Sequence, residues 1–348
     1  MNRTPASENA PALERLWLVR APVPSASSVA WSLGWLSEEF ARDGIQVDWI
    51  REETRRYAAL TSVERLRGTL REGGNISALI ERSKGSPTRV IGLTWIDESQ
   101  SIIVRPGSEI YKPQDLKNKR VAIPASLRSD DSETVRAMSL RGIENALALA
   151  GLTLADVTVV EIPGIMIDYS DPLTIKRMWA GLDWVQDGRV DAVYVKGAAG
   201  LEAAQALGLT VGIDLDVYPS RIGRVNNGTP RPIVVHESLI EDHFDIVVRF
   251  LDRTLMAADW AANHRTELVE ILQRETFAGP AGIKAAYRDN FHRSLHPSLE
   301  QDRIDLLRLQ EEFLWRHEFL SQRVDIDNWI DPRPLAEAQR LRERRLAA

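Results

Sequence analysis

The sequence predicts a two-lobed α/β protein whose mainly parallel sheets are flanked by helices and separated by an interlobe cleft. Three observations predict it. Two successive sets of alternating strand and helix patterns share one plan, and a polar block from Lys112 to Arg120 separates them. A late strand pattern, Arg231 to Val235, precedes a largely helical remainder, so the chain must return to its first lobe. The expected division is a leader over 1–14, a discontinuous first lobe over 15–120 and 231–348, and a second lobe over 121–230. In such sheets ligands bind outside the carboxyl ends of strands where the strand order reverses, which here means the cleft.

In chain order, Leu16 to Val19 reads as the first strand, and the loop Ala21-Pro22-Val23-Pro24-Ser25 leads into a helix from Ser27 to Arg42, with Ser25, Ser27 and Ser28 as cap candidates. Asp43-Gly44 stops that helix before the alternating strand Ile45 to Ile50. Val63 to Leu70 has a helical pattern, Arg71 to Asn75 a turn, and Ile76 to Glu81 a short helix. Val90 to Trp95 and Ser101 to Val104 are strands by their β-branched content. The second set comprises the strand Val121 to Pro124, a loop to Asp131, a helix from Ser132 to Ala150 stopped by Gly151, the strand Val157 to Ile162, a helix from Leu173 to Trp184, and a buried strand entered from the turn at Asp187-Gly188 and running to Val195.

With 348 residues, 44% hydrophobic and 27% charged, the chain is long enough for two ordinary domains. A net charge of -6 offers no electrostatic footprint for nucleic acid, and no apolar run is long enough to span a membrane. The absence of cysteine removes disulfides, thiolate metal sites and a thiol nucleophile. Neither a glycine-rich phosphate loop nor a Gly-x-Ser-x-Gly elbow occurs. His292 and His296 have helical metal-pair spacing but lack an acidic partner pattern, so no metal and no cofactor are expected. Residues 1–20 hold no apolar stretch of signal-peptide length, from which a cytoplasmic location is expected. The expected partner is a small organic anion, with an aromatic one admitted, and the expected state is a monomer.

Four motifs occur in a characteristic order: Arg71-x-Gly73-Gly74; Pro113-Gln114-Asp115-Leu116-Lys117 ahead of Val121-Ala122-Ile123-Pro124; Asp187-Gly188-Arg189-Val190-Asp191-Ala192-Val193; and Val324 to Pro332. With them the chain resembles the type 2 periplasmic-binding-protein fold family, the sulfonate, nitrate and taurine binding proteins of ABC importers, and more closely the 2'-hydroxybiphenyl-2-sulfinate desulfinases. The resemblance runs from about Leu16 to Leu335. It implies a catalytic Cys in a Cys-Pro-Val-Pro loop, a His, and an Arg before a Gly-Gly pair. Here the matching loop is Ala21-Pro22-Val23-Pro24, and no His lies between Trp49 and Arg71, so of the three only Arg71 carries over. The resemblance therefore implies recognition of a sulfinate, sulfonate or carboxylate, with either a thiol-independent lyase or a non-catalytic receptor or sensor left open.

The residues themselves point the same way. Arg71 ahead of Gly73-Gly74 and a helix start suits an anion clamp, because guanidinium pairs with planar oxyanions and glycines admit close backbone approach; a solvated turn arginine is the plainer alternative. Catalytic weight, if there is any, falls on Arg71 and Gly73. Ala21, Ser25 and Ser27 would face the cleft from the first lobe, although helix capping explains the serines as well. From the second lobe, Ser126 and Arg128 follow a strand end, and Lys196 and Gly197 end another. Arg221, Arg224, Asn226, Asn227 and Gly228 form a polar loop that reads as a hinge, a lid or plain surface. Trp31, Trp35 and Trp95 are candidates for stacking on an aromatic ligand, against ordinary core packing.

Overall fold

The structure, a computed structural model, describes residues 12–20, 25–51, 67–164, 178–288 and 290–347. Among the described residues ten strands form two five-stranded sheets. The first contains β1 (Arg15–Arg20), β2 (Gln46–Arg51), β3 (Thr69–Glu72), β4 (Thr88–Thr94) and β10 (Arg231–His236), in the order β2-β1-β3-β10-β4. The second contains β5 (Gln100–Val104), β6 (Arg120–Pro124), β7 (Thr158–Ile162), β8 (Ala192–Lys196) and β9 (Thr210–Asp214), in the order β7-β6-β8-β5-β9. In each sheet four strands point one way and one runs against them: β10 is antiparallel to β3 and β4, and β5 is antiparallel to β8 and β9. The odd strand is in each case the one that enters from the other sheet. The sheets are thus mixed, each with two parallel and two antiparallel pairings around four strands of one direction, and both crossings leave from and arrive at the facing edges.

Several elements differ from the sequence reading, for identifiable reasons. The strand expected over Ser101 to Val104 in the first lobe is Gln100–Val104 and pairs with β8 and β9, so the first crossing lies over 95–99 rather than at 120. Arg71 and Glu72 sit on a central strand instead of a turn; β3 pairs with β1 on one side and β10 on the other. Two charges at a strand's end hid it, because strand patterns are recognised by apolar content. The helix expected from Ser27 to Arg42 is two helices, Ala26–Ser32 and Trp35–Ala41, divided at Gly34, whose φ of 81° breaks the helical run. The helix Ala198–Ala206 and β9 were not predicted at all. Of the helix expected from Leu173 to Trp184, the part before 178 lies outside the described residues, and the described helix is Leu182–Gln186.

The late chain returns to the first sheet as required. Helix Phe244–Asn263 buries Ile246, Val247, Phe250 and Leu251 and packs against Ala26–Ser32 on one side and the last helix, Arg333–Leu346, on the other. Bridges Leu93↔Ser298 and Val90↔Ile330 attach later segments to β4. The same C-terminal region also reaches the second sheet's helices. His317 Nε2 lies 2.7 Å from Glu144 Oε1, and the Gly279 amide donates to Glu202 Oε2 at 3.0 Å. Among the described residues no helix is long and apolar enough to cross a membrane, and no group of metal-binding side chains occurs. His292 lies in a 3-10 turn rather than an α-helix, and His296 pairs with Asp259 at 2.8 Å.

Candidate functional site

The register brings the carboxyl ends of β1, β3 and β4 together with the start of β10. Arg20 stands opposite Glu72, Glu72 opposite Ile233, and Thr94 opposite Arg231. Glu72 is 1% exposed and collects three hydrogen bonds. Its Oε2 accepts from the Ser27 amide at 3.1 Å and the Ser27 hydroxyl at 2.5 Å; its Oε1 accepts from Thr94 Oγ1 at 3.0 Å. A carboxylate at the first turn of a helix satisfies amides that have no partner within the helix, so this one ties helix Ala26–Ser32 to β3.

Arg71, its neighbour, is also buried, and its Nη2 donates to Ser77 Oγ at 2.5 Å and to Gly74 O at 3.4 Å. Burial lowers its pKa, Glu81 opposes that shift, and Arg231 adds to it. Arginine is the side chain that proteins do not deprotonate, so Arg71 is a permanent cation. The helix Asn75–Ser83 begins directly after Gly73-Gly74, and two amides at this turn are already engaged. The Gly73 amide donates to Pro232 O at 3.3 Å, and the Ile76 amide donates to Asn227 Oδ1 at 3.2 Å. A Cβ on Gly74 would stand 2.1 Å from that same Asn227 oxygen, which is why only glycine fits.

The second crossing supplies the other half. Asn75 Nδ2 donates to the carbonyls of Asn226 (2.9 Å) and Pro230 (2.8 Å), holding the loop to the first lobe. Asn226 Nδ2 donates to Met138 O and to the Tyr194 hydroxyl, both at 3.0 Å, holding it to the second. Lys196, at the end of β8, donates to Asn227 O at 2.6 Å and lies 3.9 Å from Glu98. Glu98, on the first crossing, also accepts from the Tyr287 hydroxyl at 3.0 Å. Burial brings the Lys196 pKa down to about 8, with Glu98 opposing the shift and Arg231 reinforcing it. Burial likewise raises Tyr194 and Tyr287 well above the usual phenol range, so both stay neutral donors.

Arg231 completes the cluster and was missed by the sequence reading, which took it only as the start of a strand. It is 3% exposed, its pKa is lowered by burial, and Glu98 and Glu72 oppose that shift. The available signal was an arginine opening a strand otherwise made of buried apolar residues. Arg71, Arg231 and Lys196 are therefore three buried cations set against the two buried carboxylates Glu72 and Glu98.

The remaining predicted residues fall elsewhere or are already engaged. Ala21 lies outside the described residues. Ser25 Oγ accepts from the Ser28 amide at 3.2 Å as a helix cap, and the Ser27 hydroxyl is directed at Glu72. Ser126 is on an exposed loop, donating to Glu133 and accepting from the Arg128 amide at 3.1 Å; Arg128 is exposed with φ 57°. Gly197, at φ 82°, opens helix Ala198–Ala206 and donates its amide to Ser99 O at 2.9 Å. The tryptophans are packed: Trp31 against Trp49 at 5.5 Å, Trp35 against Trp260 at 6.4 Å, and Trp95, 1% exposed, bonded to Asp97 at 2.9 Å.

Comparison with known proteins agrees with this architecture. The chain is 24% identical to 2'-hydroxybiphenyl-2-sulfinate desulfinase of Rhodococcus erythropolis over 296 residues, covering 75% of this chain and 78% of that one. The crystal structure of the desulfurization enzyme DSZB superposes with a TM-score of 0.77 at 21% identity, covering 94% of this chain and 99% of that one. The periplasmic aliphatic sulphonate binding protein SsuA from Escherichia coli superposes at 0.67 and 16% identity, covering 92% of each. The fold is therefore the two-lobed periplasmic-binding-protein fold expected from the motifs. The NMT1/THI5-like family profile matches residues 28–268, and the chain belongs to that family.

Proposed function

We propose that this protein closes its lobes around a small organic anion, a sulfinate or sulfonate in the first instance, and holds it at the facing edges of the two sheets. The observation that carries the reading is the convergence of Arg71 and Arg231 from the first sheet with Lys196 from the second, all buried. Buried cations are rare unless matched, and a cluster with perturbed ionisation in a cleft is where function concentrates. Closure around a ligand excludes water and strengthens each polar contact. The similarity to a desulfinase and to a sulfonate receptor supports sulfur oxyanions as the class.

A second reading, a lyase releasing sulfite from an aryl sulfinate, is favoured by the likeness to the desulfinase. With Ala21 where that family carries its thiol, such a reaction would need another group at the sulfur, and binding without chemistry is the primary reading. The test is a thermal-shift series with benzenesulfinate, benzenesulfonate and benzoate on the native protein, Arg71→Ala and Arg71→Lys, with chromatography and sulfite assay of each mixture. Binding raises the midpoint by mass action, and Arg71→Ala should abolish the rise. Stabilisation without product marks a receptor; sulfite release marks the lyase. A rise unchanged in Arg71→Ala overturns the site.

A further inference from the structure

Asn227 gives an oxygen to each lobe. It stands at the tip of the second crossing's loop, where the Asn226 and Thr229 main chains bond to each other in both directions, at 3.1 and 2.9 Å, and leave Asn227 and Gly228 as the two residues of a turn. Its side-chain Oδ1 accepts from the Ile76 amide at 3.2 Å, in the first turn of helix Asn75–Ser83, and lies against Gly74, where a Cβ would stand 2.1 Å from it. Arg71 donates to Gly74 O and Ser77 Oγ at the same turn. The main-chain oxygen of Asn227 accepts from Lys196 Nζ at 2.6 Å. Lys196 also has Thr229 Oγ1 at 3.3 Å and Glu98 Oε2 at 3.9 Å, so the Asn227 oxygen is its shortest described polar contact. One residue thus engages a donor of the first lobe and the buried ammonium of the second, the two sides from which an anion in the cleft would be held.

We infer that Asn227 is an internal competitor of the cleft's ligand, an autoinhibitory contact that the anion displaces when it bridges the two lobes. This rests on the cleft reading above. A neutral amide or peptide oxygen accepts a hydrogen bond roughly half as strong as an oxyanion does, so the exchange favours the anion. The turn is also able to yield. The peptide between Asn227 and Gly228 carries the oxygen bonded to Lys196, and Gly228, at φ 75°, adopts either sign of φ, so that peptide can rotate while the Asn226 and Thr229 pairing stays in place. The flanking residues are anchored independently: Asn75 Nδ2 donates to Asn226 O and Pro230 O, and Arg141 Nε and Asn145 Nδ2 donate to Val225 O at 3.1 and 2.9 Å. Motion is thereby confined to the tip. Apparent affinity is then reduced by the fraction of molecules in which Asn227 is engaged, and a substitution that weakens its hold raises affinity without adding a contact.

The experiment is calorimetric titration and thermal unfolding of the native protein, Asn227→Ala, Asn227→Asp and Arg71→Ala at pH 7.5, with benzenesulfinate, benzenesulfonate and benzoate as probes. We expect Asn227→Ala to bind at least one probe about fivefold or more tighter than the native protein, although its ligand-free midpoint falls because the Ile76 amide loses its acceptor. Asn227→Asp suits the same turn and places a fixed carboxylate against Lys196 and the helix start, so it should bind about tenfold or more weaker with its midpoint level or raised. A purely structural Asn227 would move the midpoints and leave affinity alone. Affinity in Asn227→Ala equal to or below native, with binding abolished in Arg71→Ala, overturns the competitor and leaves the cleft reading standing. Native-like affinity in Asn227→Asp does the same, and decides the matter by itself where Asn227→Ala fails to fold. If the native protein and both Asn227 variants bind none of the three probes, the cleft reading fails and this one falls with it.

Discussion

The two sheet edges that face each other are built differently. At the first, Ser27, Arg71, Glu72 and Thr94 are buried and joined by hydrogen bonds across two strands and a helix start. At the second, the loop after β6 is exposed, and Ser126 bonds only to its own neighbourhood, at Arg128 and Glu133. Lys196 at the end of β8 and Gln100 at the start of β5 are buried there, and both are bonded to the crossing loop. The difference teaches where recognition resides. A side chain locked by several partners presents its charge in one geometry, whereas an exposed loop pays an ordering cost on every encounter. The first edge, with the crossing loop, should therefore carry most of the affinity.

The largest break in this contrast is Glu72→Ala. Removing the carboxylate leaves the Ser27 amide and two hydroxyls unsatisfied beside two arginines, and we expect a loss of about 3–5 kcal/mol in chemical denaturation. Next is Gly74→Ala, whose Cβ would overlap Asn227. We expect a cost of about 1–3 kcal/mol, relieved in large part by Asn227→Ala in a double-mutant cycle.

A pH series sharpens the role of Lys196. Its pKa in the fold, about 8, is below its usual 10.5, so the folded chain binds fewer protons than the unfolded one between those values. Stability from this group therefore rises with pH across that window and is lost as pH falls through about 8. Anion affinity should move the opposite way, falling roughly tenfold between pH 7 and 9 as the ammonium discharges. Affinity that is flat with pH would remove Lys196 from the site. The smallest effects belong to the exposed loop. Ser126→Ala and Arg128→Gly should change stability by less than about 0.5 kcal/mol, and anion affinity by less than about twofold, in titration calorimetry.

Much of the scaffold was legible from the chain itself. Short apolar runs marked β1, β6 and β8, alternation marked β2, and glycines at 44 and 151 marked helix stops; both glycines take positive φ, at 72° and 68°. Arg71 was legible as a candidate because it precedes two glycines. Its setting was not, since Thr69–Glu72 carries too little apolar content to announce a strand, and its charges are tolerated only because the strand ends at the cluster. Ser25 and Ser27 illustrate the converse: their positions at a helix start were correct, but which hydroxyl caps and which meets Glu72 depended on a partner 45 residues away. Ser126 and Arg128 were singled out because they follow a strand's carboxyl end, where such sheets place ligand contacts, and that rule does not determine burial: both are exposed.

By itself the sequence determined the alternation of strands and helices, the two similar halves and the late return to the first lobe, because these follow from periodicities and turn residues acting over a few positions. Tertiary structure alone decided that β5 joins the second sheet, that β10 lies between β3 and β4, and hence that Arg231 stands beside Arg71 and near Lys196. Strand order is set by which long-range pairing buries the most surface without leaving polar groups unmatched, a property of the whole chain that no local pattern encodes.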